Sequence, residues 1–477
     1  MKFEENAMII ENHLKERGYF TMRKAVYILQ QSVFFTAFRN WVFVRNVDTR
    51  KNYLLSGSAY EILSILRTPH DISSLIAQLK KKFIVDDNGK FTSDVCLFVS
   101  SLSRERLVQD LGDADAEADI EKKQQNIEAT VRQQAMNDHR LLSVSLELTY
   151  RCNEHCVHCY LDDPSEIRKA KELSADNWIR VIDECASIGC MNVLVTGGEP
   201  TLHPGFIDIC QHVVDKGLLL NVYTNGLEIK DDIFDALCAM KLNSVSVSLY
   251  GGYPAFHDSI TRIPGSFTKT LMTALKFKCA GKDTFIKTVV FRSHVDDYIQ
   301  LKRLGKRIGM TVSPAPVITA GHSGKSNLDL AITDSEFRKL LHEERSCSDK
   351  GDCVEGRDSE GPVCMAGQNM LSFDPYGNIF PCNAVQEIVG DIHKSPINDV
   401  WENSKKLKWI RAIRMSDLNA ACQSCDSLKV CTCCLGAALS ENGGRLGLFM
   451  PACRQAKIRH EEWKTRISSA RADNQEP

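Results

Sequence analysis

No stretch of the 477-residue chain approaches the ~18–20 consecutive apolar residues that a membrane-spanning helix needs. Charge of one sign is missing too. The 59 Lys and Arg against 61 Asp and Glu leave a formal net charge of −2, so no global basic field points to nucleic acid. The opening MKFEENAMIIENHLKERG is acidic and broken by charges, and does not read as a secretory signal. The low apolar content of a disordered chain is absent as well, since 43% of residues are hydrophobic and 25% charged. The length suits roughly three domains of ~150 residues. What the chain has in excess is cysteine, with 19 of them. Secreted disulfide scaffolds are usually far shorter. A long chain without a signal points to a reducing cytoplasm, where clustered cysteines more often bind metal. The expectation is an intracellular metalloprotein, ahead of a reactive-thiol enzyme.

Residues 1–110 read as a small α/β module. The runs VFFTAF, WVFVRNV and NYLL predict short strands, and three helical periods follow, with Ser58 and Asp71 as N-caps of the first two. The polar segment 111–140 reads as a linker. From 141 to 340 strand and helix alternate. SVSLELT, MNVLVTG, LLLNVYTNG, SVSVSLYG, TFIKTVVF and TVSPAPVI predict six parallel strands with helical crossovers. Six units fall short of the eight of a full TIM barrel, so the expected architecture is an open, partial (β/α)6 barrel, ahead of a flat doubly wound sheet. Beyond 341 the rhythm fades and cysteines dominate up to 463. Residues 464–477 read as a frayed tail.

The sharpest feature directly follows the first strand of the series. In CNEHCVHC, Cys152, Cys156 and Cys159 form a C-x3-C-x2-C triplet. An iron–sulfur cube held by three cysteines keeps one iron open to an outside ligand. Structural zinc usually closes with a fourth side chain, here His155 or His158. One βα unit later, Gly197-Gly198-Glu199-Pro200 ends the second strand, where glycines let backbone approach a ligand closely. Thr224-Asn225-Gly226 ends the third strand, and Ser246 and Ser248 precede Tyr250-Gly251 at the end of the fourth.

In this register, across about 142–320, the sequence resembles the radical S-adenosylmethionine (SAM) superfamily. The resemblance implies a 4Fe–4S cluster on Cys152, Cys156 and Cys159, with SAM chelating the open iron. It implies cofactor contacts from Gly197, Gly198 and Glu199, from Ser248 near the ribose or carboxylate, and from Arg262 to the carboxylate. His158 stands where the superfamily commonly has an aromatic residue near the adenine. The implied chemistry is reductive cleavage of the S–C5′ bond to a 5′-deoxyadenosyl radical, which takes hydrogen from an unactivated carbon.

Ten of the nineteen cysteines lie between 347 and 453. Their array, Cys364-x12-Gly377-x4-Cys382, Cys422-x2-Cys425-x5-Cys431-x2-Cys434 and Cys453, resembles the SPASM extension of radical SAM peptide-modifying enzymes. That resemblance implies two auxiliary 4Fe–4S clusters. One takes Cys422, Cys425, Cys431 and Cys453. The other takes Cys364, Cys382, either Cys433 or Cys434 with Cys434 favoured by the family spacing, and Cys353 or Cys347. A zinc ribbon is the alternative, and it strands too many thiols. The phrase FDPYGNIFPCN predicts a tight turn at Gly377. Cys96, Cys185, Cys190, Cys210, Cys238 and Cys279 lie in apolar helical contexts and read as buried hydrophobes. Asp374 and Glu387 are the candidates for deprotonating a substrate group.

The strands-then-helices order of 1–110 resembles the PqqD-like winged-helix element that binds leader peptides in maturases of ribosomally made peptides. The implied mode is β-augmentation. Basic residues between Arg23 and Lys51 are scattered rather than lining one helix, which argues against DNA. The sequence thus predicts a radical SAM peptide maturase whose leading product is a thioether. Its expected partners are a precursor peptide with leader and a flavodoxin or ferredoxin reductant, with no nucleic acid and no membrane. The expected location is an anaerobic or microaerobic cytoplasm. The rivals are a formylglycine-forming enzyme of the sulfatase-maturase kind and a non-catalytic iron–sulfur or zinc scaffold.

Overall fold

The computed structural model describes residues 26–30, 33–38, 41–47, 49, 51–83, 90–110, 139–161, 171–315, 318, 320–322, 325–345 and 359–473. The chain divides into two compact units, Met1–Ala135 and Met136–Pro477. Among the described residues no helix is long and apolar enough to cross a membrane. Residues 111–138 of the expected linker, and Cys347 and Cys353, lie outside the described residues.

In the first unit the β-branched and aromatic runs form strands β1 (Val26–Leu29), β2 (Val33–Phe38), β3 (Trp41–Asn46) and β4 (Lys51–Ser56). Strands β2, β3 and β4 make an antiparallel meander. Helices α1 (Ala59–Ile65), α2 (Ile72–Lys82) and α3 (Lys90–Arg104) follow. They bury Leu63, Leu75, Leu79 and Val99 in one core with Val42, Val44 and Leu55. Strand β1 pairs with the short β5 (His70–Asp71) and β6 (Val108–Asp110) in a second antiparallel sheet. Asp71 caps α2 as expected, its Oδ1 accepting from Ser74 N at 2.7 Å. Ser58 does not cap α1. Its own backbone is helical (φ −64°, ψ −24°), so its side chain makes no cap bond and lies 3.1 Å from Ser56 Oγ instead.

The second unit is built on a nine-stranded sheet. Its six expected strands are β7 (Ser143–Glu147), β8 (Asn192–Thr196), β9 (Leu219–Thr224), β10 (Leu242–Ser248), β11 (Thr284–Val289) and β12 (Thr311–Ala315). They pair in parallel and in chain order. Helices α4 (Ala175–Ser187), α5 (Phe206–Asp215), α6 (Asp231–Ala239), α7 (Pro254–Thr261), α8 (Ser266–Cys279) and α9 (Val295–Ile308) connect them. The sheet does not close. After α10 (Asp334–Arg345), the strand β13 (Met370–Phe373) lies parallel beside β7, and β14 (Asn378–Phe380) and β15 (Gly390–Asp391) continue antiparallel. These three strands were not expected as part of the sheet, because they are too short to carry an alternation of their own.

Strand alternation sorts the side chains. Val144, Leu146, Val193, Val195, Leu220, Val222, Val245, Val247 and Ile286 pack with helix residues such as Trp178, Phe206, Ile209 and Phe277. The opposite face, the lumen of the partial barrel, carries Ser145, Glu147, Thr196, Asn221, Tyr223, Ser246, Ser248 and Lys287 by the same register. Cys185, Cys190 and Cys210 are buried as expected, whereas Cys279 is exposed, since it ends α8 on its solvent side.

The tail folds as four short helices, α11 (Ile397–Asn403), α12 (Lys405–Ala412), α13 (Met415–Leu418) and α14 (Leu435–Glu441), and one long one, α15 (Met450–Asp473). Their small core gathers Ile410, Met415, Leu435 and Phe449 with Cys431 and Cys433. The expected frayed end from 464 is instead helix as far as Asp473. No Gly or Pro interrupts the segment, and its polar helix formers need little burial.

Candidate functional site

The three-cysteine loop leaves the C-terminal end of β7, where open α/β sheets carry their ligands. Its backbone is tied down from one side by His155 N and Val157 N, which donate to Thr261 O and Ile260 O at 3.0 Å, the last turn of α7. On the other side Thr149 Oγ1 donates to Glu172 Oε1 (2.6 Å), and Arg151 Nη2 pairs with Glu172 Oε2 (3.2 Å). Asn225, at the end of β9, donates through Nδ2 to Asn153 Oδ1 (2.7 Å) and to Cys152 Sγ (3.7 Å). Cys156 Sγ donates to Glu154 Oε2 at 3.3 Å. Burial pushes the Cys152 thiol up to about 11 and the Cys156 thiol higher still, and the three sulfurs stand close enough to raise one another.

The glycines of the second strand end make room. A Cβ on Gly197 would fall on Thr149 O, and one on Gly198 would fall on Arg151 O and 2.8 Å from Tyr150 O. Glu199, 1% exposed, spends its carboxylate on protein. It accepts from Thr201 Oγ1 (2.7 Å), Thr224 Oγ1 (3.0 Å) and Asn225 N (2.8 Å), so it joins the ends of β8 and β9. Ser248 is half-buried at the end of β10. Arg262 is exposed, in a left-handed conformation (φ 59°) directly after the α7 turn that holds the cysteine loop. His158 packs edge-on to Tyr250 (4.8 Å) and Phe291 (5.1 Å). Burial lowers its imidazole to about 4, and its Nδ1 has no hydrogen-bond partner.

Glu147 was not singled out from sequence. It is 3% exposed, and its two oxygens accept from Tyr150 Oη and Tyr160 Oη, each at 2.8 Å. Its neighbour, directly after β13, is Asp374, whose Oδ1 accepts from Tyr376 N and Asn378 N (2.9 Å each) and whose Oδ2 accepts from Asn378 Nδ2 (2.7 Å). Asp374 therefore serves the turn at Gly377, which takes φ 93° as the sequence expected. Glu387 pairs with Lys406 at 3.4 Å. Beside Tyr160 opens a cleft of about 120 Å³, whose wall includes Gly321, His322, Asn383, Gln386 and Ser440.

In the tail the thiols sort into two groups. Cys453 on α15 is raised by burial and then by Cys431, Cys422 and Cys425, which are therefore its neighbours. Cys382 is pushed up to about 12 by burial and then by Cys364 and Cys434. Of the two alternatives in CTCC, Cys434 faces that second group, while Cys433 lies in the apolar core with its Sγ 3.9 Å from Cys434 O. Among the described residues no three such side chains converge on one ion-sized point.

The residues present fit an iron–sulfur cluster and SAM. A loop offers three grouped thiols, a backbone cradle that any Cβ would fill, and buried polar atoms at Glu154 Oε1 and His158 Nδ1 that have no partner. Comparison with known proteins agrees. Residues 146–304 match the radical SAM superfamily, and residues 364–426 match the SPASM iron–sulfur cluster-binding domain. The AdoMet-dependent heme synthase of Methanosarcina barkeri is 25% identical over 331 residues, 64% of this chain and 93% of that protein. The mycofactocin maturase MftC of Mycolicibacterium smegmatis is 28% identical over 306 residues, 61% of this chain and 76% of that protein. Streptococcus suis SuiB bound to precursor peptide SuiA superposes with a TM-score of 0.55 at 18% identity, over 87% of this chain and 97% of that one. The chain is an enzyme with a radical SAM core that binds an iron–sulfur cluster and SAM, followed by an iron–sulfur cluster-binding domain.

Proposed function

We propose that this enzyme modifies a ribosomally made peptide, whose leader docks on Met1–Ala135 as on a PqqD-like element and whose core region reacts in the lumen. The observation that carries the reading is the extent of the SuiB likeness. At 87% of this chain it is longer than Met136–Pro477 and so reaches into the first unit. The mycofactocin maturase relation supports it. When bound, the cofactor supplies one-electron removal of hydrogen from an unactivated carbon.

The chain's own residues prepare that step. Cys152, Cys156 and Cys159 hold the cluster and leave one iron open, Gly197 and Gly198 admit the cofactor's methionyl end, and Ser248 and Arg262 complete its polar surround. His158, Tyr250 and Phe291 wall the site against water. Two auxiliary clusters sit on Cys422, Cys425, Cys431 and Cys453, and on Cys364, Cys382, Cys434 with Cys353 or Cys347. The product we favour is a thioether between a cysteine sulfur and a carbon. The tail supports it by grouping the thiols of Cys364, Cys382 and Cys434 within the same unit as the loop. A flavodoxin or ferredoxin supplies electrons.

A second reading, modification of a tetrapyrrole, is favoured by the heme synthase relation, which spans 93% of that protein. It gives Met1–Ala135 no task.

Coexpression with a short open reading frame beside the gene, followed by mass spectrometry of the peptide, tests the proposal. A mass loss of two hydrogens per cross-link is expected, and an unchanged peptide sinks the reading. In the purified, reconstituted enzyme, replacing Cys152, Cys156 and Cys159 together by Ala should abolish dithionite-driven 5′-deoxyadenosine formation while the tail keeps its iron. Surviving turnover would falsify the site.

A further inference from the structure

Among the described residues, Lys287 faces the lumen with no carboxylate paired to it. Lys287 on β11 stands in register with Ser248 on β10, and Ser313 on β12 is its other neighbour. Ser248 is one residue beyond the Thr224–Val247 pair, so Lys287 lies at the level where β9 delivers Asn225 to the cysteine loop. Alternation puts Ile286 and Thr288 on the buried, helix-covered face and Lys287 on the other. Its Nζ donates to Ser313 Oγ at 3.2 Å and lies 5.4 Å from the centroid of the Tyr223 ring. Among the described residues it forms no ion pair with Asp or Glu.

An ammonium has three donors, and Ser313 takes one. The ring attracts the charge but offers the remaining N–H groups no lone pair. A half-buried cation in that state is completed by a ligand or by solvent. The surroundings select the class of ligand. Among the described strand positions facing the lumen, Lys287 carries the one positive charge, flanked by the hydroxyls of Ser246, Ser248 and Ser313, and they also carry the carboxyl of Glu147. One lysine, with no arginine fork among these strand positions, matches a monoanion better than a doubly charged phosphate.

We propose that Lys287 binds a single carboxylate inside the lumen and thereby selects substrates that carry one beside the reacting carbon. This rests on the chain's being a radical SAM enzyme that holds its substrate in the lumen, and not on that substrate's being a peptide. Because Ser248 adjoins both, the carboxylate belongs either to the substrate or to the cofactor's methionyl group, and the experiment separates the two.

The test uses the anaerobically reconstituted enzyme with dithionite, SAM and perdeuterated glutarate as the carboxylate probe, and perdeuterated glutaramide as the neutral control. The readout is the deuterium content of the 5′-deoxyadenosine formed, a ratio that does not depend on its amount. Wild type and K287R should take deuterium from glutarate, and K287M about tenfold less. Glutaramide should give little with any of them. Equilibrium dialysis with radiolabelled glutarate should rank the three proteins in the same order without turnover. Calorimetry gives the Kd for SAM in parallel, where a rise of about tenfold in K287M assigns the carboxylate to the cofactor instead. Equal deuterium transfer and equal SAM Kd in wild type and K287M overturn the proposal, as does a wild type that takes no deuterium from glutarate while its SAM Kd matches K287M. None of these outcomes depends on whether a peptide is modified in coexpression.

Discussion

At the scale of the residue, Glu147 illustrates what burial does to a carboxyl. Burial pushes it up to about 7, the hydroxyls of Tyr160 and Tyr150 oppose the shift, and the charge of Asp374 adds to it. The folded value lies above the ordinary value near 4.5, so the folded state holds the proton that the unfolded chain releases. Below about pH 4.5 both states are protonated and the group contributes nothing to the pH dependence. As pH rises towards 7 the unfolded state ionises first, and stability falls by up to about 3 kcal/mol. E147Q removes the titration while keeping an acceptor for a tyrosine. Its Tm should therefore gain on the wild type between pH 5 and pH 8. Thermal scans showing a constant gap across that range would contradict the assignment. Cys433 and Cys434 make a different residue-scale point. Spacing in CTCC favoured Cys434 by family pattern, and the fold turns that sulfur to Cys382 while it buries its neighbour.

At the scale of the element, helix α14 and the loop after Cys382 are held by a near contact of backbone. Gly436, two residues after Cys434, sits against Ala384, two residues after Cys382. A Cβ there would fall on Ala384 O and 2.9 Å from Ala384 Cβ, so Gly436→Ala must move the helix or the loop. We expect the variant to lose the cluster proposed for Cys364, Cys382 and Cys434, lowering iron by about four atoms per chain. The cluster of the first loop should keep cleaving SAM. Full iron content by chemical analysis would show that the two elements are not coupled through this contact. The strand series was legible because each βα unit carries its own period. Strand β13 was not, since four residues hold no period, and its place beside β7 comes from a chain segment more than two hundred residues away.

At the scale of the whole molecule, the division at Ala135 and Met136 gives each part its own core. A truncated chain beginning at Met136 should fold, bind iron and form 5′-deoxyadenosine, but should lose modification of the leader-bearing peptide. If the truncated enzyme modifies that peptide as fast as the full chain, the docking role of the first unit is wrong. If instead a tetrapyrrole is turned over equally by both, the second reading gains.

The amino-acid order by itself determined the cysteine loop at a strand end, the glycines one unit later, the six-strand alternation and the cysteine-rich tail. Each of these is a pattern within a few dozen residues, set by local backbone geometry and by the spacing that a shared ligand demands. Tertiary structure decided which charged groups face the chemistry. It spent Asp374 on a turn and Glu199 on two loop ends, gave Glu147 two tyrosine donors, and set Lys287 over Tyr223. Those outcomes depend on register between strands distant in sequence. A slip of one residue would carry Glu147 and Lys287 to the other face of the sheet.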